Sequence, residues 1–157
     1  MQRTRKFVNE EPSNQACKLD ELKSTFLDLD VSDRLELLLE YSENLPDLPP
    51  RFHMKRQAGE NRVPECQTPV YLWVEVVGGR VEIYADVPRE SPTVRGFISL
   101  LISSLRGTVP AEVLSLKPGL LRDLGLAEVL GMVRTQGLQA ILQRIKSEVL
   151  RAVDKKD

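Results

Sequence analysis

A thiol is the most reactive side chain that this sequence offers, and the chain carries two cysteines and a single histidine. Cys66 lies in the polar stretch Glu65-Cys-Gln-Thr68, which favours an accessible loop position where a nucleophilic thiol can meet a reagent. The alternative is a cysteine packed in the core as a small apolar residue, a common environment for a free cysteine. The residues by themselves leave both interpretations of Cys66 open.

The other candidate groups give weaker evidence for a chemical role. Cys17 ends a polar segment in which nothing ordered is predicted that would lower the pKa of its thiol, so we assign it no role. His53 could serve as the base of a cysteine hydrolase, but it stands in a basic loop without a recognisable partner, and a solvated loop position is the simpler interpretation. The sequence has no C-x-x-C pair, Cys/His cluster, P-loop or G-x-S-x-G motif, and it predicts no metal site.

The bulk composition limits the classes of protein to consider. With 22 Lys+Arg against 23 Asp+Glu the net charge is -1, so no overall field attracts the chain to nucleic acid or to an anionic membrane. The N-terminal residues lack the apolar core of a signal sequence, and no later stretch approaches the length of a membrane span. We therefore expect a cytoplasmic protein with reduced thiols and with neither nucleic acid nor membrane as a partner.

A chain of 157 residues, 41% of them hydrophobic, can bury one core but is too short for two ordinary domains. Residues 1–17 are polar, mixed in charge and without an apolar period, which predicts a flexible leader. The remainder, residues 18–157, is expected to form a single domain.

Two helices are predicted before the Cys66 loop. Apolar residues recur at helical spacing from Leu19 to Leu29, and Ser32 is predicted to cap a second amphipathic helix. The proline-rich segment 45–50 ends that helix, and a basic loop is expected to continue to about Pro64. The basic side chains of this loop either face solvent or dock to an acidic partner.

A β-hairpin is predicted directly after Cys66. Residues 69–77 alternate in the two-residue period of a strand, and residues 80–87 repeat this alternation. Gly78-Gly79 between them can adopt the positive φ values that a two-residue hairpin turn requires. The hairpin would hold the Cys66 loop at one end of a rigid sheet.

Helical periods return after the hairpin. Ser91-Pro92 marks the start of a helix whose apolar stripe continues until Gly107. Short pieces punctuated by Pro and Gly follow, and a last amphipathic helix is predicted from about Arg134. Together these elements predict an α+β fold in which a small antiparallel sheet is packed by helices.

The motif Asn61-Arg-Val-Pro-Glu-Cys-Gln-Thr-Pro-Val-Tyr-Leu-Trp73 resembles the segment around the sulfur-accepting cysteine of the SufE family. The resemblance extends from about Leu19 to Leu150. Three further segments agree with the family in the same order: Ala85-Asp86, Thr93-Val-Arg-Gly-Phe-Ile-Ser-Leu-Leu101 and Arg134-Thr-Gln-Gly-Leu-Gln-Ala-Ile141.

The resemblance implies a fold like that of IscU-type scaffold proteins and a role in sulfur transfer. In the family's reaction a SufS-type cysteine desulfurase forms a persulfide on its own cysteine, and the SufE-like thiolate takes the terminal sulfur and passes it to an iron–sulfur scaffold protein. By resemblance Cys66 is that thiolate. Pyridoxal phosphate belongs to the partner, so this chain is expected to hold no cofactor, and it would act as a carrier and activator, as a monomer or a homodimer, rather than as an independent enzyme.

Further residues are implicated in partner binding or in stabilising the persulfide. Arg62, Glu65 and Gln67 flank the cysteine, and Arg134 matches an arginine of the family's last helix, although simple solvation at a helix start would also explain it. Glu65 stands where many members have glycine, and its charge is expected to raise the pKa of the thiol. Val129 replaces a histidine of many relatives, so no role of that imidazole carries over.

Two further hypotheses accompany this interpretation. A non-catalytic adaptor would bind and activate a desulfurase without accepting sulfur, and it would keep its stimulation after Cys66→Ser. We also expect the thiol of Cys66 to be shielded against apolar side chains at rest and to swing out in the complex, since an exposed persulfide would be lost to reductants.

Overall fold

The computed structural model describes residues 19–156. The predicted leader and Cys17 lie outside the described residues, so the boundary after residue 17 stays a prediction. A first helix, α1, covers residues 19–27. The elements that follow are α2 (Val31–Glu43), a 3-10 turn (Pro50–Phe52), α3 (His53–Gln57), β1 (Tyr71–Val77), β2 (Arg80–Asp86), α4 (Pro92–Leu105), α5 (Pro110–Leu114), α6 (Leu120–Asp123) and α7 (Leu126–Lys156).

The predicted hairpin is confirmed. Strands β1 and β2 pair antiparallel with Val77 opposite Arg80 and Tyr71 opposite Asp86, and they form a two-stranded sheet within the described residues. Gly78 and Gly79 connect the strands with φ values of 59° and 78°, the left-handed conformation of both central residues in a tight hairpin turn. The architecture is α+β, a small antiparallel sheet packed by helices, as the sequence predicts.

Both faces of the hairpin are covered. Leu72 and Ile83 point into the main core, against α4 and α7. On the opposite face Trp73 is also buried, because Phe52 of the 3-10 turn stacks on it with ring centroids 4.9 Å apart. The two-residue alternation of the sequence indicated one buried side and gave no sign of this second layer.

The segment predicted as a basic loop is partly helical, because it contains the 3-10 turn and α3. Its arginines lie along the outer face of the hairpin, where the Arg51 guanidinium donates two hydrogen bonds to Glu75 at 2.8 and 2.9 Å. Arg56 donates to Asp86 at 2.6 Å and lies over the ring of Tyr71. Arg51 and Arg56 therefore form ion pairs with acidic residues of the hairpin.

Helices α2 and α4 make the most extensive helix–helix contact of the described residues. A Cβ atom on Gly96 would overlap the carbonyl oxygen of Leu38, so only glycine permits this approach. The predicted cap of α2 is wrong: the helix begins at Val31, and the carboxylate of Asp30 accepts a hydrogen bond from the backbone N–H of Asp33 at 2.8 Å. Aspartate and serine are both favoured at the N-cap, so the sequence did not distinguish Asp30 from Ser32, which lies two residues later.

Helix α7 is interrupted near its start. Gly131 has φ 81° and ψ 169°, which breaks the helix into a short turn and a long continuous segment after it. The prediction of a last helix from about Arg134 is therefore confirmed to within a few residues. The long segment buries Leu138, Ile141, Leu142, Ile145 and Val149. None of the helices described is both long enough and apolar enough to cross a membrane.

Candidate functional site

The loop that carries Cys66 is built as an extension of β1. The backbone N–H of Val63 donates to the carbonyl of Val70 at 2.9 Å, and that of Leu72 donates to the carbonyl of Asn61 at 3.1 Å. The side chain of Asn61, which adopts a positive φ of 64°, returns a hydrogen bond to the carbonyl of Leu72 at 3.0 Å. Because these bonds close its base, the loop has a fixed root and a short tip at residues 64–69.

The thiol of Cys66 turns inward from this tip. Cys66 is only 6% exposed and belongs to the main core cluster, whereas its neighbours Glu65 and Gln67 are exposed. Of the two interpretations that the sequence left open, the packed cysteine is the one observed, although the loop itself lies at the surface. This agrees with the expectation of a thiol shielded at rest, and the outward swing stays a prediction. The local polarity of the sequence describes the neighbours correctly, but the direction of a single side chain depends on what packs beneath the loop.

A cleft of about 560 Å³ lies beside the sulfur. Its walls are the Cys66 loop, the start of α4 and the long segment of α7. Gly137 of α7 faces the thiol, and a Cβ atom added there would lie 3.8 Å from Cys66 Sγ. Apart from its chain neighbours and the adjoining backbone of its own helix, no other heavy atom would lie within 4 Å. The thiol thus borders both the core and an open space.

The surroundings of the sulfur act on its ionisation in opposite directions. Burial raises the pKa of the Cys66 thiol, since the thiolate loses hydration there. Hydrogen bonds from the backbone N–H and hydroxyl of Thr68, and the positive charge of Arg62, lower this pKa in part. Burial, and not the neighbouring carboxylate of Glu65 as the sequence suggested, is the cause of the raised pKa. The resting site therefore favours the thiol over the thiolate, and Thr68 and Arg62 stabilise the thiolate when it forms.

The remaining predicted site residues take distinct places. Glu65, Gln67 and Arg134 line the cleft, and Arg62 lies outside its lining. The guanidinium of Arg134 donates to the hydroxyl of Thr93 at 2.8 Å, which ties α7 to the start of α4 at the cleft. Its bond to Thr93 makes Arg134 more than a solvated residue at a helix start.

His53 is not brought to the thiol. Its Nε2 atom lies 3.0 Å from the carbonyl oxygen of Leu48, and the residue belongs to a different hollow, beside Asp86. No imidazole lines the Cys66 cleft in the described part of the chain. The geometry therefore gives no support to a hydrolase that uses His53 as the base for Cys66. Val129 is half-buried and also stands outside the cleft lining.

Three residues of the site were missed by sequence reasoning. Thr68 lies only two positions after the cysteine, and its hydroxyl also donates to Ser91 Oγ at 3.4 Å, so its proximity in the sequence was a usable signal. Thr93 and Gly137 come from α4 and α7, and only the packing of these helices brings them to Cys66. Both residues stand in segments that resemble the SufE family, Thr93–Leu101 and Arg134–Ile141, which was a usable signal, but the resemblance did not assign them a role.

The comparisons with known proteins agree with one another. The family model described as SufE, an Fe-S metabolism associated domain, matches residues 20–149. An uncharacterized SufE-like protein of Mycobacterium tuberculosis is 37% identical over 142 residues, which cover 90% of this chain and 97% of that protein. The sulfur acceptor protein CsdE of Escherichia coli K12 is 30% identical and matches 85% of this chain and 89% of its own length.

A solved structure shows the same fold. The solution structure of a hypothetical protein from Thermus thermophilus superimposes with a TM-score of 0.75 at 38% sequence identity. The match covers 87% of this chain and 96% of that chain.

Proposed function

The chain belongs to the SufE family, and from this premise we propose that it is a sulfur acceptor, which takes sulfur from a cysteine desulfurase onto Cys66. The observation that carries the proposal is the position of this thiol: Cys66 is the free cysteine of the described residues, and its sulfur lies between the core and an open cleft. The sulfur acceptor CsdE is among the relatives, which supports the same role here.

The proposed step is an exchange between two cysteines. The thiolate of Cys66 attacks the terminal sulfur of the persulfide on the desulfurase, a new S–S bond forms at Cys66, and the S–S bond of the donor breaks. The desulfurase cysteine leaves as a thiolate and takes up a proton. No electrons are gained or lost overall, so the step needs neither an oxidant nor a metal ion.

The surroundings of Cys66 suit a carrier. Burial of the resting thiol limits its contact with water and small thiols, and its raised pKa makes it a poor target for oxidants because less thiolate is present. When the thiol ionises, the hydrogen bonds of Thr68 and the charge of Arg62 stabilise the anion. These groups supply the thiolate for attack without leaving it exposed at rest.

A resting thiol that is 6% exposed cannot meet the cysteine of another protein directly. We propose that the tip of the loop, residues 64–69, moves outward when the desulfurase docks, while the hydrogen-bonded root at Asn61 and Leu72 stays in place. An alkylating reagent tests this movement. Adding the desulfurase should speed modification of Cys66 at least tenfold, and equal rates with and without it would refute the movement.

Residues at the opening of the cleft are proposed as partner contacts. Glu65, Gln67 and Arg134 are exposed there and surround the path of the sulfur. We further propose that the chain stimulates the desulfurase, that it acts in the cytoplasm, and that an iron–sulfur scaffold protein receives the sulfur. Sulfur-labelled protein incubated with candidate scaffolds would show whether the label moves to them.

The decisive experiment is mass spectrometry of the protein after incubation with its desulfurase and L-cysteine. One added sulfur, removable by a reductant, is expected on the peptide that contains Cys66. Cys17→Ser should retain this addition, and Cys66→Ser should lose it, because a hydroxyl cannot form a persulfide. The two variants are matched, since each removes one of the two thiols.

The same pair of variants identifies an adaptor. If desulfurase turnover rises equally with wild type and with Cys66→Ser, and Cys66 stays unmodified, the chain activates by binding alone and the sulfur-acceptor proposal is wrong.

A further inference from the structure

Gly137 occupies an unusual position for a glycine. It lies in the interior of the long segment of α7, where alanine has a higher helix propensity, and its φ is outside the region that only glycine adopts readily. The backbone conformation therefore gives no reason for glycine. The space does, because an added Cβ would lie in contact with the sulfur of Cys66, 3.8 Å away.

The distance across this space separates two states of the cysteine. A Cβ atom 3.8 Å from Sγ is in ordinary van der Waals contact with a thiol, so alanine fits while Cys66 is unloaded. A persulfide extends the side chain by one S–S bond, about 2.05 Å. A terminal sulfur directed at α7 would then come within about 2 Å of that Cβ, which is well inside the contact distance of nonbonded atoms.

The other directions around the sulfur are restricted. Cys66 packs in the main core cluster, so the extra atom has to enter the cleft that Gly137 and Arg134 line. We propose that Gly137 is a specificity-determining residue that leaves room for the terminal sulfur, so that the loaded side chain stays folded against α7. This inference rests on the proposed function, and it assigns the sulfur a resting place within the cleft.

A stable mimic of the loaded side chain allows an equilibrium test. Methyl methanethiosulfonate transfers its S–CH₃ group to a thiolate and releases methanesulfinate, so Cys66 becomes Cys66–S–S–CH₃. The outer sulfur stands in for the transferred sulfur, and the methyl group replaces its hydrogen. Labelling in urea followed by refolding makes the reaction independent of access to the buried thiol, and a Cys17→Ser background leaves Cys66 as the target.

Urea denaturation then compares four proteins in a double-mutant cycle: the parent and Gly137→Ala, each with and without the label. With glycine at position 137, the label should change the equilibrium constant of folding by no more than about threefold. In Gly137→Ala, the label should reduce this constant by a factor that is at least about tenfold larger. Unlabelled Gly137→Ala should be as stable as its parent or more so. Gln143→Ala, at an exposed position of the same helix outside the cleft lining, should respond to the label as the parent does.

Each failure overturns the inference in a recognisable way. An equal effect of the label with glycine and alanine would show that the cleft at Gly137 does not receive the sulfur. A labelled Gly137 protein that cannot refold would show that the cleft has no room for it, and an unlabelled Gly137→Ala that cannot refold would show that glycine is needed for folding itself. Failure of labelled Gly137→Ala alone supports the inference.

The sulfur-loaded protein gives a second measurement. After loading by the desulfurase, the persulfide of Gly137→Ala should react with cyanide, which removes the terminal sulfur as thiocyanate, at least tenfold faster than that of the parent. Equal rates would contradict the resting place. Absence of any added sulfur on the parent would instead refute the proposed function, so the two failures are distinguishable.

Discussion

The contact between α2 and α4 and the cleft between the Cys66 loop and α7 each place a helix glycine opposite another part of the chain. At Gly96 the backbone of Leu38 fills the space completely, and at Gly137 the sulfur of Cys66 stops at a distance that leaves an opening. The first glycine permits close packing, and the second preserves a volume. The role of a helix glycine, close packing or preservation of an open volume, therefore depends on the atoms that lie opposite it.

The polar groups of the two regions differ in the same way. Arg95, buried where α4 meets α2, donates to the carbonyls of Ser42 and Val87 at 2.8 and 2.6 Å. Cys66 is equally buried, but its donors from Thr68 matter mainly when the thiol has ionised. The guanidinium of Arg95 therefore has its acceptors in the resting protein, whereas the donors beside Cys66 serve the ionised form of the thiol.

The largest difference is expected between the two glycine substitutions. Gly96→Ala should lower the free energy of unfolding by about 3 kcal/mol, because α4 has to move away from α2. Gly137→Ala should instead raise it by up to about 1 kcal/mol through helix propensity. Urea denaturation measures both. Similar losses for the two variants would contradict the distinction between a filled and an open interface.

The arginines of the two regions should differ nearly as much. Arg95→Met should lower the free energy of unfolding by about 2 kcal/mol, since two carbonyl acceptors lose their donor in a buried place. Arg134→Met, which removes an exposed side chain and one bond to Thr93, should change it by less than about 0.5 kcal/mol. Thermal or urea denaturation at neutral pH makes the comparison, and equal losses would place Arg134 among the structural residues.

Thr68 should affect reactivity more than stability. In Thr68→Val the thiolate loses the side-chain donor and keeps the backbone N–H, so the pKa of Cys66 rises further and alkylation at neutral pH should slow about threefold. Ser91→Ala serves as the control, because its hydroxyl accepts from Thr68 and so competes with the sulfur for the same proton. Its alkylation should be as fast as in wild type or faster. Equal slowing in both variants would indicate a general distortion of the loop.

The smallest expected effect concerns alkaline pH. Because burial raises the pKa of Cys66 in the folded state, the folded protein holds this proton more tightly than the unfolded chain does. The resulting stability is fully present below the ordinary thiol pKa of about 8.5, and it is lost as the pH rises through the higher pKa of the folded state. Wild type should therefore lose stability more steeply than Cys66→Ser in this range. Parallel pH profiles of the urea midpoint would show that burial does not perturb the thiol.

Local sequence determined the elements around the site. Alternation together with Gly78-Gly79 specified the hairpin and its register, because a two-residue turn fixes which residues lie opposite one another. Apolar residues at helical spacing specified α4 and the last helix, and the motif around Cys66 was enough to identify the candidate nucleophile. These features depend on neighbours in the chain, so a single sequence contains them.

Tertiary structure decided how the nucleophile is presented. Neither the inward turn of Cys66 nor the space at Gly137 follows from the residues next to them, because both depend on where α7 packs against the loop. The same holds for Trp73, which Phe52 covers from a segment that the sequence presented as a basic loop. Spacing along the chain determines periodic elements, whereas burial and open volume depend on surfaces that meet only in the folded protein.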